Sequence, residues 1–294
     1  MIVGFGSVNL DLIFPLPALP QRGQTVLGRA MQAAPGGKGA NQAVAAARDG
    51  ARVVFAGAVG GDALADQALA TLRRAGVELS RVVTADISTG CAAICVDPAG
   101  HNQIAVASGA NLLARADQVE DALLHEEATL LVQAETDLDE TAILIRRARA
   151  SGARIVLNLA PAAPLAEDAL REVDVLVVNE DEGAALGARL GTGGDAASLH
   201  AALGVAVIVT MGEQGVVAAT AAGMLRLPAH PVTVVDTTAA GDCFTGVLAA
   251  ALDRGEEMAA ALRRANVAAA LCCTRPGSQD SLPTARETDA ALRG

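Results

Sequence analysis

Tryptophan and tyrosine are absent from this chain, and phenylalanine occurs only four times. Open carbohydrate-binding surfaces grip sugars by stacking them on aromatic faces, so that class is disfavoured, and a bound polyol would be held by directional hydrogen bonds in an enclosed pocket. The five cysteines, Cys91, Cys95, Cys243, Cys272 and Cys273, are odd in number and lack paired metal-ligand spacing. A disulfide framework or zinc site is therefore not expected, and a reducing, cytoplasmic compartment is. No apolar run reaches membrane-spanning length. The apolar start, Met1 to Phe14, has no basic n-region, carries Asp11 and is followed by no small-residue cleavage site, so it does not read as a signal peptide. Positive charge is in deficit, with 22 Lys and Arg against 33 Asp and Glu for a net −11. Neither nucleic acid nor an anionic membrane is an expected partner, and any polyanionic ligand must be attracted locally by backbone amides, a few cations and a bound metal.

What is present is a rhythm. Across 294 residues, short β-branched runs alternate with Ala-rich amphipathic stretches, the signature of a parallel sheet covered on both faces by helices. The class is α/β. Expected strands are Ile2–Gly6, Val53–Ala58, Leu130–Ala134, Ile155–Leu159, Val175–Val178 and Val205–Thr210. Asp62 is placed to cap a helix ending near Gly76, Asp117 one running through Glu127, and Asp137 one stopped near Gly152. Two stretches break the rhythm: Asp11–Ala34, with three prolines, and Thr89–Ser108, with a turn at Asp97-Pro98-Ala99-Gly100. Both read as antiparallel strands, forming either a small sheet over the mouth of a site or edge hairpins. There are no repeats, low-complexity segments or interdomain linkers.

The strongest local signal is Asp236-Thr237-Thr238-Ala239-Ala240-Gly241-Asp242, directly before an Ala-rich helix. Small residues there leave the first N–H groups of the helix accessible to an anion such as a transferring phosphoryl group, and Asp242 could accept a proton from an attacking hydroxyl. Alternatively Asp242 simply caps the helix. A second glycine-rich turn, Gly36-Gly37-Lys38-Gly39-Ala40-Asn41-Gln42-Ala43, also feeds a helix. It is not a Walker A loop, because Gly39 follows the lysine where Ser or Thr is required and Gln32 stands where the first glycine belongs. Gly4-Phe5-Gly6 is only half a dinucleotide fingerprint, with Asn9 at the third glycine, which disfavours a nicotinamide enzyme. Asn9, Asp11 and Glu135 follow strands, where ligands of open α/β sheets collect, and suit polyol hydroxyls. Asn179 and Glu182 could hold a hydrated metal. Each of these has a plainer reading as an N-cap or loop residue. Thr210 to Gly215 is either a nucleotide wall or an ordinary glycine hairpin.

Taken together and in order, these segments resemble the ribokinase family of PfkB-type sugar kinases, over nearly the whole chain. The resemblance implies a single domain, 1–294, with a three-layer α/β/α sandwich, a mostly parallel central sheet and a small β lid built from about 11–34 and 89–108. It implies an ATP-dependent kinase acting on the primary hydroxyl of a pentose, most simply D-ribose to D-ribose 5-phosphate. The alternatives are another furanose or a nucleoside as acceptor, or a non-catalytic sugar- or nucleotide-binding protein. By this resemblance Asp242 is the catalytic base and the amides of Ala239, Ala240 and Gly241 form an anion hole. Asn9, Asp11, Gly37, Lys38, Asn41, Glu135 and Asp242 correspond to sugar-binding positions. Asn179, Glu182, Thr210, Gly212, Gly215, Gly241 and Asn266 correspond to positions around ATP and Mg²⁺. Asp236, Thr238, Cys272, Arg275, Gly277 and Ser281 fall on the positions of an activating K⁺ ion. A homodimer clasped through the lids is also implied. His101 departs from the family pattern, in which an acidic residue is common, and bears on sugar preference rather than on phosphoryl chemistry.

Overall fold

The computed structural model describes residues 1–293. In chain order the elements are β1 Ile2–Phe5, β2 Asn9–Pro15, β3 Gln32–Gly36, α1 Lys38–Arg48, β4 Val53–Gly60, α2 Ala63–Ala68, α3 Ala70–Arg74 and β5 Glu78–Ala85. Next come β6 Gly90–Val96, β7 Asn102–Ala107, β8 Thr129–Val132, α4 Leu138–Ala150, β9 Arg154–Asn158, α5 Glu167–Arg171, β10 Val175–Asn179, α6 Glu180–Leu190 and α7 Ala196–Leu203. The chain closes with β11 Ala206–Thr210, β12 Val216–Thr220, β13 Gly223–Leu227, α8 Ala240–Asp253, α9 Met258–Cys272 and α10 Ala285–Arg293.

Nine strands form the main sheet, in the order β13-β12-β11-β10-β9-β8-β1-β4-β5. From β11 to β5 every neighbouring pair is parallel, and only the β11-β12-β13 edge runs antiparallel. Strands buried on both faces must be apolar throughout, and β1, β4 and β8 are buried at every residue. One face packs on α1, α8 and α9 around Val44, Phe244, Leu248 and Leu262; the other packs on α4 to α7 around Leu144, Ile145, Leu170 and Leu199. This is the expected three-layer sandwich. All six expected strands are present within two residues of their expected ends, whereas the edge strands β5 and β13, and β12 beside β13, were not foreseen.

Asp62 caps α2 by accepting from Leu64 N and Ala65 N, and Asp137 caps α4 by accepting from Asp139 N and Glu140 N. The helix expected from Asp117 to Glu127 is instead two short 3₁₀ turns, Ala116–Gln118 and Asp121–Leu123. The carbonyls of Ala116 and Val119, which a continuing α-helix would use, are held by the Arg147 guanidinium at 2.6 and 2.7 Å.

A second sheet, ordered β3-β2-β6-β7, arises where the two irregular stretches meet. β2 pairs antiparallel with β3, and β6 antiparallel with β7, but the central β2–β6 pair is parallel, which corrects the expectation of antiparallel strands alone. Between β2 and β3 the chain carries no regular structure over residues 16–31. The base of this sheet is anchored by Asn9, paired with Gly36 on one side and Gly90 on the other, next to the carboxyl end of β1.

Candidate active site

The parallel strands deliver their following residues to one edge of the sheet: Asn9 after β1, Glu135 after β8, Asn158 at the end of β9, Asn179 at the end of β10 and Thr210 at the end of β11. That edge is where crossover connections leave a crevice in open α/β folds. Helices α1 and α8 bring the two glycine-rich segments to the same place. They approach closely because residue 246 is glycine: a Cβ there would overlap the Gln42 carbonyl oxygen and stand 2.8 Å from Ala45 Cβ.

Asp242 lies in the first turn of α8, only 7% exposed. It does not cap its helix. Asn41 Nδ2 donates to its Oδ2 at 2.9 Å, and Gln42 Nε2 donates to its Oδ1 at 2.9 Å. The N-cap is Ala239, which makes no side-chain cap bond and adopts φ 59°. Among the described residues it is the sole non-glycine with positive φ, a strained conformation costing about 1–3 kcal/mol that persists only where surrounding structure enforces it. The N–H groups of Gly241 and Asp242, two residues that line the cleft, have no backbone acceptor among the described residues, whereas that of Ala240 donates to Thr237 O at 3.2 Å.

Lys38, Asn179, Glu182, Thr237 and Ala239 to Asp242 line one cleft of about 220 Å³. The Lys38 ammonium is held above its ordinary pKa chiefly by the field of Asp242, against the opposing effect of burial, with help from Glu135 and Glu182. Asn179 and Glu182 do form an N-terminal capping box on α6, each side chain accepting from the other's N–H at 2.8 Å, so the plainer reading of this pair is correct as far as it goes. Burial nonetheless raises the Glu182 carboxyl, against the Asn179 N–H and Lys38, which lower it.

On the small-sheet side, Asp11 packs against Gly36, where a Cβ would overlap its carboxylate. Burial, then Glu135, then Asp242 push its pKa from 3.8 up to about 6. Glu135 Oε2 accepts from Lys38 N at 3.0 Å and from Ser7 Oγ at 2.6 Å. These long-range bonds supply the cap that α1 lacks, since its N-cap residue is Gly37. Gly37 itself is required at φ 88°, with a Cβ there only 2.8 Å from Asn9 N and 2.9 Å from Ser7 O. Asn9 Oδ1 accepts from Asn111 Nδ2 at 2.8 Å.

On the far side of Gly241 opens a cavity of about 800 Å³, walled by Thr210, Gly212, Gly215, His230, Phe244, Asn266 and Ala270. Asn266 is fixed by donating to Pro228 O at 2.7 Å. The glycines of 212–215 both turn the β11–β12 hairpin and form this wall, so the two readings of that segment coincide.

The six residues assigned by resemblance to a monovalent ion also converge. Asp236 accepts from Thr238 N, Thr238 Oγ1 and Gly277 N, Cys272 Sγ lies 3.0 Å from Ser281 Oγ and 3.7 Å from Thr238 O, and Arg275 N donates to Cys272 O at 3.3 Å. Burial would raise the Asp236 carboxyl, but the bonds from Thr238 and Gly277 outweigh it and hold the group below its ordinary range. The Arg275 guanidinium turns away to pair with Glu287.

Sequence reasoning missed a buried tier of amides beneath the site: Gln42, Asn111, Gln133, Asn158 and Gln279. Gln42 lies inside the glycine-rich segment Gly36 to Ala43, so its sequence context does signal it. The others carry no sequence signal, because they reach the site from separate strands and loops.

Phosphoryl transfer to a hydroxyl needs a proton acceptor, donors for the moving phosphoryl group, and separate berths for the two substrates, all within a few ångströms. The junction around Asp242 brings a buried carboxylate, unpaired helix-terminal amides and two openings within such a range, an arrangement suited to a small-molecule kinase. The chain belongs to the pfkB family of carbohydrate kinases, whose pattern it matches over residues 1–285. It is 34% identical to a ribokinase of Haemophilus influenzae, with 96% of this chain and 95% of that protein aligned. A crystal structure of a Thermotoga maritima ribokinase superposes with TM-score 0.92 at 31% identity, covering 100% of this chain and 99% of that one. An Arabidopsis thaliana ribokinase complexed with ribose and ATP superposes with TM-score 0.90 at 29% identity, covering 100% and 98%.

Proposed function

We propose that this carbohydrate kinase transfers the γ-phosphoryl group of ATP to the primary hydroxyl of a pentose, D-ribose giving D-ribose 5-phosphate. The observation that carries the reading is the position of Asp242, a buried carboxylate close to Asp11 and Glu135 on one side and to a nucleotide-sized cavity on the other, next to unpaired helix-terminal amides. The similarity to ribokinases, one of them bound to ribose and ATP, favours ribose within the family.

In this reading Asn9, Asp11, Asn41 and Glu135 accept from and donate to the sugar hydroxyls, with Gly37 letting the backbone come close. The adenine and ribose of ATP occupy the cavity between Thr210 to Gly215 and Asn266. Asp242 takes the proton of the attacking hydroxyl as that oxygen bonds the γ-phosphorus and the bond to the β-phosphate oxygen breaks, releasing ADP. Lys38 and the amides of Ala239, Gly241 and Asp242 hold the charge on the moving phosphoryl group, the Ala240 N–H being taken by Thr237 O, a role suited to fixed dipoles in a site that excludes water.

Glu182 and Asn179 offer oxygen ligands suited to a hydrated Mg²⁺ that is held mostly by phosphates and water; when bound, the ion would neutralise phosphate charge. Hard oxygens around Asp236, Thr238, Gly277 and Ser281 suit K⁺, with Cys272 and Arg275 contributing backbone oxygens. The small sheet acts as a lid, and its exposed strand β7, with Ile104 at 55% and Val106 at 59% exposure, clasps a second copy. His101, at the tip of the β6–β7 turn and 3.1 Å from Asp97, tunes sugar preference through that lid. All five cysteines are unpaired thiols, in keeping with a cytoplasmic enzyme. No helix among the described residues is long and apolar enough to cross a membrane.

The test is phosphorylated product measured across ribose, deoxyribose, fructose and nucleosides, with and without K⁺ and Mg²⁺, for the parent and Asp242→Asn. Ribose is expected to give the highest kcat/KM, and the variant to lose roughly 10²-fold or more in turnover. A nucleoside or another furanose preferred over ribose would reassign the acceptor, and near-normal turnover by Asp242→Asn would remove the base.

A further inference from the structure

Asp242 meets carboxamides on both oxygens, and the one on Oδ1 is the end of a chain whose polarity can be worked out from a single carbonyl. Asn158 Nδ2 donates to Val177 O at 3.1 Å, and a carbonyl can only accept. Asn158 therefore turns its Oδ1 toward Gln42, and Gln42 must answer with Nε2, at 2.9 Å. The same nitrogen reaches Asp242 Oδ1 at 2.9 Å. Gln133 Nε2 closes the arrangement by donating to Gln42 Oε1 at 2.7 Å. Gln42 is fully buried, Gln133 is 2% exposed and Asn158 7%, so water is a poor substitute for any of these partners and reversing one amide would set donor against donor or acceptor against acceptor.

We infer that Gln42 is a positioning residue for the Asp242 carboxylate: its amide, locked by Asn158 and Gln133, presents a fixed N–H to Oδ1. That N–H can donate but not accept, so it fixes which lone pair of Oδ1 is occupied. It also sets the plane of the carboxylate relative to the incoming hydroxyl, and in a reaction whose rate depends on alignment a loose base is a slow one. Three elements converge for this purpose, with α1 supplying Gln42, the segment after β8 supplying Gln133 and β9 supplying Asn158. This inference rests on the reading of Asp242 as the base.

The experiment compares the full-length parent with Gln42→Met, Gln42→Glu and Asp242→Asn, measuring kcat, sugar KM, the pH dependence of kcat and the melting temperature. Gln42→Met keeps the shape and removes the donor. Its kcat is expected to fall roughly 10-fold or more while the sugar KM changes little, as for other groups that act by orienting a reactive one. Gln42→Glu sets a second carboxyl against Oδ1, where like charges retain a shared proton. Turnover should then acquire an ionisation the parent lacks, its acidic limb displaced upward by about one pH unit or more. A residue that merely filled the core would lower stability without adding an ionisation. A folded Gln42→Glu protein whose pH–kcat curve parallels the parent's overturns the inference, as does failure of both Gln42 variants to fold, which would make the residue a scaffold group. If Asp242→Asn is inactive while Gln42→Glu is unchanged, only the present inference falls; an active Asp242→Asn removes the base itself.

Discussion

At Asp11, the binding role proposed for it and the demands of folding diverge within a single side chain. Its carboxyl, pushed up to about 6 by burial and by Glu135 and Asp242, takes up a proton in the folded protein at a pH where the unfolded chain, near 3.8, has already lost it. The folded state then binds more protons than the unfolded state between those values, so stability falls as pH rises through that window and stays lower above it. Asp11→Asn is expected to melt higher than the parent at pH 7.5, with the advantage shrinking toward pH 4, as followed by thermal denaturation at several pH values. Under the proposed function, the same substitution removes a charged acceptor for sugar. For the parent, kcat/KM for ribose should decline as pH drops below about 6, because the free enzyme's Asp11 becomes protonated. In Asp11→Asn that limb should vanish and kcat/KM should be uniformly low. A variant that keeps the limb would assign it to another group.

Helices matter here through the distance between them. The contact of α1 with α8 decides whether Asn41 and Gln42 can reach Asp242, and Gly246 sets that distance by offering no Cβ against the Gln42 carbonyl. Gly246→Ala overfills the contact and is expected to cost about 1–3 kcal/mol in urea denaturation. Turnover should fall beyond what the lost stability explains, because separating the helices lengthens both carboxamide bonds to Asp242, the proposed base. Unchanged turnover in the folded variant would show that the helices part without disturbing the site. The two 3₁₀ turns between Ala116 and Leu123 teach the complementary point about elements. A capping aspartate and an apolar pattern favour a helix there locally, but Arg147 on α4 takes the carbonyls that a helix needs.

At the scale of the molecule, one buried carboxylate fastens α1, α8 and α9 together at the ends of α1 and α8 remote from the site. Asp49, following α1 and 1% exposed at its side chain, accepts from Arg254 at 2.8 Å and from Arg264 at 2.7 Å, and Arg264 continues to Asp289 on α10 at 2.6 Å. Removing one partner of such a set leaves uncompensated buried charge, so Asp49→Ala should lose about 3–5 kcal/mol of stability by denaturant titration. Its sugar KM, measured well below the new midpoint, should be near the parent's. Assembly belongs to this scale too. If β7 clasps a second copy, replacing both Ile104 and Val106 by lysine should halve the mass seen by sedimentation while leaving the monomer folded, since both side chains are already exposed. A parent chain that sediments as a monomer would remove that part of the proposal.

Local patterning in the amino-acid order determined the α/β class, six of the seven interior strands of the main sheet, two helix caps and the two glycine-rich segments that frame the site. Those features follow from burial on both faces of a strand and from orphaned N–H groups at helix starts, which neighbours in the chain can reveal. Tertiary structure alone decided that β2 and β6 run parallel, that Asp242 accepts from α1 instead of capping α8, and that Glu135 caps a helix begun nearly a hundred residues earlier. Gln133, Asn158 and Gln279 gained their meaning in the same way. A buried amide is defined by the partner that satisfies it, and these partners are brought together by folding, not by spacing along the chain.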